Sequence, residues 1–123
     1  MDPRITRVLA RMEEHLADPI TVDALGAAVN LSGSRLAHLF SREVGMPPAR
    51  YLHELRMQRA RAVLERTLLP VRQVMASVGI NDPSHFARDF RRYHGLSPSE
   101  VRNRASAADT PRPYRQSPDG QEP

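Results

Sequence analysis

Apolar residues along the chain recur at spacings of three and four, the period of helices with one buried face. Ile5, Val8, Leu9, Met12 and Leu16 predict a first helix ending near Asp18-Pro19. Thr21 is a natural N-cap for a second, which carries Asp23 in its first turn and runs to about Val29. Ser32 caps a third whose inward stripe is Leu36, Leu39, Phe40 and Val44, and Gly45 stops it. Pro48, at a first-turn position where its missing N–H is harmless, begins the longest stretch, from about Ala49 to Thr67. Its buried side is predicted to carry Tyr51, Leu52, Leu55, Ala60, Val63 and Leu64. Pro70 opens a fifth helix to about Val78, and Asp82-Pro83 reads as N-cap plus first turn of a sixth, through about Tyr93 and closed by Gly95. Ser97 and Glu100 form a capping box ahead of a short seventh helix to about Asn103. The pattern therefore predicts an all-α fold of about seven helices.

Part of this pattern occurs twice. Val22, Leu25, Val29, Asn30 and Leu31 recur 49 positions later as Val71, Val74, Val78, Gly79 and Ile80. After one extra turn residue, Leu36, Phe40, Gly45 and Pro48 recur 50 positions later as Phe86, Phe90, Gly95 and Pro98. Each copy spells a helix, a tight turn, a second helix and a cap, which is a helix-turn-helix unit. Asn30 and Gly79 both tolerate the left-handed backbone of a sharp turn, so one bend is encoded twice. The predicted organisation is a first helix-turn-helix subdomain over 1–48, a linker helix over 49–68 and a second subdomain over 69–104. Residues 105–123, rich in Pro, Ser, Ala, Asp and Gln without apolar period, are expected to form a disordered tail.

Burying Leu36 and Phe40 leaves Ser34, Ala37, His38 and Ser41 as a polar strip on the third helix, flanked by Arg35 and Arg42. Burying Phe86 and Phe90 leaves Ser84, His85, Arg88 and Arg91 or Arg92 as the equivalent strip on the sixth. An α-helix fits the major groove of DNA, where such side chains reach base edges, while serines near helix starts hold phosphates. Ser32 is first an N-cap, with phosphate contact as a compatible second role. A linker helix of about 19 residues is roughly 28 Å long, close to the roughly 34 Å of one duplex turn. Two recognition helices held that far apart would enter successive major grooves of double-stranded DNA.

Composition narrows the alternatives. All 18 basic residues are arginine, set against 14 acidic ones. Residues 1–104 hold 16 Arg and 11 acidic residues, net +5, and the tail holds 2 and 3. Arginine's planar fork suits phosphate and guanine. Absence of cysteine removes disulfides, thiolate nucleophiles and cysteine-based zinc sites. His15, His53 and His94 share no ligand spacing and are expected at the surface or as caps, so neither a metal nor another cofactor is expected. Arg56, Arg59 and Arg61 have Glu54 and Glu65 as neighbours and are expected to pair with carboxylates, Arg56 as a structural salt bridge. No apolar run reaches eighteen residues, and no signal peptide or lipidation motif is present, so no membrane partner and a soluble, intracellular chain are the expectation.

Over about residues 5 to 104 the chain resembles the AraC/XylS family of bacterial transcription regulators. The resemblance is carried by L-S-G-S-R-L-A-H-L-F from Leu31 to Phe40, then Gly45, Pro48, Tyr51, Leu52, Arg56 and Ala60. In the second unit it is carried by V-G-I-N-D-P-S-H-F-A-R-D-F-R-R from Val78 to Arg92 and G-L-S-P-S-E from Gly95 to Glu100. It implies a cytoplasmic, nucleoid-associated regulator of transcription, most often an activator, with RNA polymerase as a candidate second partner. Base contacts are implied at Ser34, Ala37 and His38, then Pro83, Ser84, His85 and Arg88. The chain departs from the family pattern at Ile80, where phenylalanine is usual, and at Met75 and Gly26, where alanine is usual. Gly33 is expected to add backbone freedom to the first strip.

The competing readings are a protein-interaction module that keeps the fold but docks on polymerase or another regulator without reading DNA, and an enzyme. No nucleophile-base pair or phosphate loop supports the enzyme. A monomer is expected for this chain, which is either a stand-alone regulator or the C-terminal piece of a longer, dimeric one.

Overall fold

The computed structural model describes residues 1–109 and the two-residue antiparallel pair Ser117–Pro118 with Gln121–Glu122. Among the described residues seven helices follow in order: α1 Pro3–Glu14, α2 Val22–Ala27, α3 Gly33–Val44, α4 Pro48–Arg66, α5 Val71–Ser77, α6 Pro83–His94 and α7 Pro98–Asp109. The domain is all-α, two helix-turn-helix subdomains joined by the long helix α4. Of the tail expected to be disordered, residues 105–109 instead continue α7 past its predicted end at Asn103, and 110–116, 119–120 and 123 lie outside the described residues. No described helix is long and apolar enough to cross a membrane.

The local signals set the element boundaries. Thr21, Ser32 and Asp82 each accept a hydrogen bond from the backbone N–H three residues ahead, satisfying donors a helix start leaves open. Ser97 and Glu100 make both bonds of the capping box, at 3.1 and 2.8 Å. Asn30 and Gly79 are left-handed, with φ of 62° and 76°, and Gly45 and Gly95 end α3 and α6 the same way. One start escapes the apolar pattern: Asp2 caps α1 and Pro3 occupies its first turn, so the helix begins before Ile5.

One continuous core runs from Ile5 to Val101. Leu36 and Phe40 of α3 and Phe86 and Phe90 of α6 are sealed within it, which fixes the rotation of both helices. In α4 the buried residues are Pro48, Leu52, Met57, Ala60 and Leu64, whereas Tyr51, Leu55 and Val63 are only half-buried. Met57 lies off the predicted stripe because α4 meets α3, α5, α6 and α7, and no single face describes a helix packed on several sides.

Gly26 is explained by close approach. A Cβ on Gly26 would stand 2.5 Å from the Leu31 carbonyl oxygen, so α2 packs against the turn into α3 without room for the usual alanine. A Cβ on Gly33 would meet the carboxylate end of the exposed Asp23 side chain, which lies against the start of α3.

Candidate nucleic-acid interface

With Leu36 and Phe40 turned inward, α3 exposes Ser34, Arg35, His38 and Arg42, and Ala37 and Ser41 are half-buried at the edge of the same strip. Exposed Ser32 spends its hydroxyl on the Arg35 N–H at 3.1 Å. An open hollow of about 500 Å3 follows this face, lined by Ser34, Arg35, His38 and Arg42 together with Leu31, Leu39 and Arg4. Arg4 comes from α1, whose start is tied to the last turn of α3 by the Asp2 N–H donating to Glu43 Oε1 at 2.8 Å. Hydrogen bonds from the Arg4 side chain and its backbone N–H hold the Asp2 carboxyl down at about 2.

On α6 the residues Pro83, Ser84, His85, Arg88, Arg91 and Arg92 are all exposed. Pro83 fills the first turn without a donor, and Asp82 takes the His85 N–H at 3.1 Å. The arginines differ in their freedom. Arg91 lies 3.7 Å from Glu100 and Arg92 4.0 Å from Asp89. The guanidinium groups of Arg35, Arg42 and Arg88 make no hydrogen bond or ion pair among the described residues. Each strip therefore presents unneutralised cations beside serine and histidine, the side-chain chemistry that suits phosphate and base edges. Among the described residues no group of three or more side chains could hold a metal.

A helix-turn-helix domain family model matches residues 25–104. GbdR, a transcriptional regulator of Pseudomonas aeruginosa, is 34% identical over 100 residues, covering 81% of this chain and 27% of its own length. RhaS, a transcriptional activator of Escherichia coli, is 33% identical over 99 residues, covering 80% of this chain and 36% of its own. The chain belongs to the AraC/XylS family. Its structure is also similar to the DNA-binding domain of AdpA, a global transcriptional factor, solved in complex with a target DNA. The TM-score is 0.80 at 27% identity over 86% of this chain and 96% of that one. The AraC/XylS relatives are regulators of transcription, not enzymes, and this domain spans about a third or less of the length of GbdR and RhaS.

Several expectations for the AraC/XylS domain need correction. Among the described residues Arg56 forms no salt bridge: its Nε donates to the Leu16 carbonyl at 3.1 Å and its Nη2 to the Asp18 carbonyl at 2.9 Å, and burial lowers its pKa. Two main-chain acceptors in the turn after α1 take its donors, and Glu54 pairs instead with Arg50 at 3.3 Å. Arg59 and Arg61 do pair with carboxylates, Glu13 and Glu65. His94 is half-buried, 4.4 Å from the Phe90 ring, with Nε2 3.0 Å from the Met57 carbonyl. It is a core group where α6 crosses α4.

Two residues near the second strip, Asp89 and His53, are not among the candidate contact residues. Asp89 lies 3.5 Å from His85 and 3.8 Å from His53 of α4. Its spacing to His85 is legible as an i,i+4 pair; its meeting with His53 is not, since that depends on how α6 crosses α4.

Proposed function

We propose that this chain binds double-stranded DNA sequence-specifically and thereby regulates transcription, α3 and α6 acting as recognition helices in successive major grooves. In this reading residues 1–48 and 69–104 are the two reading units and 49–68 the spacer. Ser34, Ala37, His38, Pro83, Ser84, His85 and Arg88 face bases, and Ser32, Arg35, Ser41, Arg42, Arg91 and Arg92 face bases or phosphates. The observation that carries the reading is the pair of equivalent strips, each set by two buried residues at matching repeat positions, with Arg35, Arg42 and Arg88 lacking protein partners among the described residues. The 19-residue spacer supports it, at about 28 Å against a duplex turn of roughly 34 Å. The AdpA domain, which binds a target DNA, supports the ligand class. RhaS, a transcriptional activator, supports activation as the direction of control, and RNA polymerase is the candidate second partner. In this reading the unit acts as a monomer in the cytoplasm, associated with the nucleoid, either alone or as part of a longer dimeric regulator.

Selection of bound duplexes from a random pool at physiological salt tests this. The expected product is a bipartite, non-palindromic motif with half-sites about ten base pairs apart, bound with a steep loss of affinity as salt rises. Absence of any enriched motif, with no salt-sensitive duplex affinity, overturns it in favour of a protein-docking module.

A further inference from the structure

Asp89 is the only acidic side chain of α6, on a helix that otherwise presents Arg88, Arg91 and Arg92. A bare carboxylate there would repel a phosphate-lined groove. It is not bare. One oxygen, Oδ2, lies 3.5 Å from His85 Nδ1 and 3.8 Å from His53 Nε2, and Oδ1 lies 4.0 Å from Arg92 Nη1. The Asp89 side chain is 14% exposed, against 59% for His85. The carboxylate is tucked between α6 and α4, and the imidazole stands more open to solvent beside it.

We infer that Asp89 is a positioning residue that fixes the orientation and tautomer of His85, and so sets which base edge α6 reads. The inference rests on α6 being a recognition helix. A neutral imidazole carries one N–H, and the ionised carboxylate 3.5 Å away favours that proton on the nitrogen facing it, Nδ1, through its charge. His85 Nε2, which has no partner among the described residues, is then left as an acceptor. In the major groove an acceptor suits the amino groups of cytosine and adenine, and is repelled by guanine, which offers only acceptors there. Without Asp89 the ring is free to present either a donor or an acceptor, and that discrimination goes.

Removing the carboxylate also deletes a negative charge close behind the DNA-facing strip. Affinity for unrelated duplex then rises while selectivity at one base pair falls. The two changes have opposite signs, whereas a folding defect lowers both.

The test combines duplex selection with nitrogen NMR of the imidazoles in the free full chain, at pH 8, above the ordinary histidine range. For the unsubstituted protein we expect the His85 proton on Nδ1, and a preference of about five-fold for cytosine or adenine over guanine at one position of the second half-site. Asp89→Ala should lose that preference and bind unrelated duplex about two- to five-fold more tightly. Asp89→Glu, still four residues from His85, should retain the preference. His85→Ala should lose it, and the double variant should lose no more than His85→Ala alone. A proton on Nε2, or an Asp89→Ala protein with unchanged base preference, overturns this inference alone. An unsubstituted chain that enriches no motif overturns the proposed function and this inference with it.

Discussion

Arg56 Nε donates to the Leu16 carbonyl across 3.1 Å and so fastens the linker helix to the turn that follows α1. Arg102 repeats the device one unit later, reaching from α7 to the carbonyls of Leu64, Thr67 and Leu69 at the end of α4. Arg102 takes an acceptor that the C-terminus of α4 leaves open, and Arg56 takes carbonyls of the turn that follows α1. Arg56→Met keeps the apolar stem and removes the donors. We expect a loss of about 2–3 kcal/mol, measured by urea unfolding, since each bond involves a charged group in a partly buried site. A loss below about 0.5 kcal/mol would show the clamp to be ornamental.

Gly45 and Gly79 separate backbone strain from steric conflict. Both are left-handed, with φ of 93° and 76°. A Cβ at Gly45 meets nothing within 4 Å, whereas one at Gly79 would stand 2.8 Å from the Ala17 carbonyl oxygen in the first unit. Gly45→Ala should cost about 1 kcal/mol from the backbone term alone. Gly79→Ala should cost at least twice that and disturb the contact between units; equal melting temperatures for the two variants would refute the steric argument.

Asp2 gives an acid-side prediction. Its carboxyl is lowered from 3.8 to about 2 by Arg4. Depression in the folded state means the stabilising contribution is fully present above the unfolded value and disappears as pH falls from about 4 through about 2. Thermal melts should show Asp2→Asn less stable than the unsubstituted protein at pH 6, with the gap closing by pH 2. A gap that persists at pH 2 would place the effect in N-capping geometry instead of charge.

Arg88 and Arg42 should fail differently if the strips bind DNA as proposed. Arg88→Ala is expected to cost about 1–3 kcal/mol on the selected site and to relax preference at its base pair. Arg42→Ala, at the flank of the first strip, should weaken specific and unrelated duplexes alike and lower the salt slope by about one. Binding titrations over a salt series distinguish the two patterns.

All seven helices were legible because their signals are short-range. A cap acts on a donor three residues away, as Ser32 does on Arg35, and a buried stripe needs only the spacing of Leu36 and Phe40. The doubled turn was legible for the same reason, through Asn30 and Gly79. So were the rotations of α3 and α6, and with them which side chains each helix exposes.

What crosses between helices was not in the sequence pattern. The partners of Arg56 lie 38 and 40 residues away and are main-chain carbonyls, which every residue owns and no composition marks. Met57 is buried because α4 is packed on several sides, and His94 and His53 acquire their neighbours only where α6 crosses α4. Local physics wrote the helices, their ends and their faces into the sequence; the tertiary structure alone decided which faces meet, because that choice depends on the joint packing of distant segments around one core.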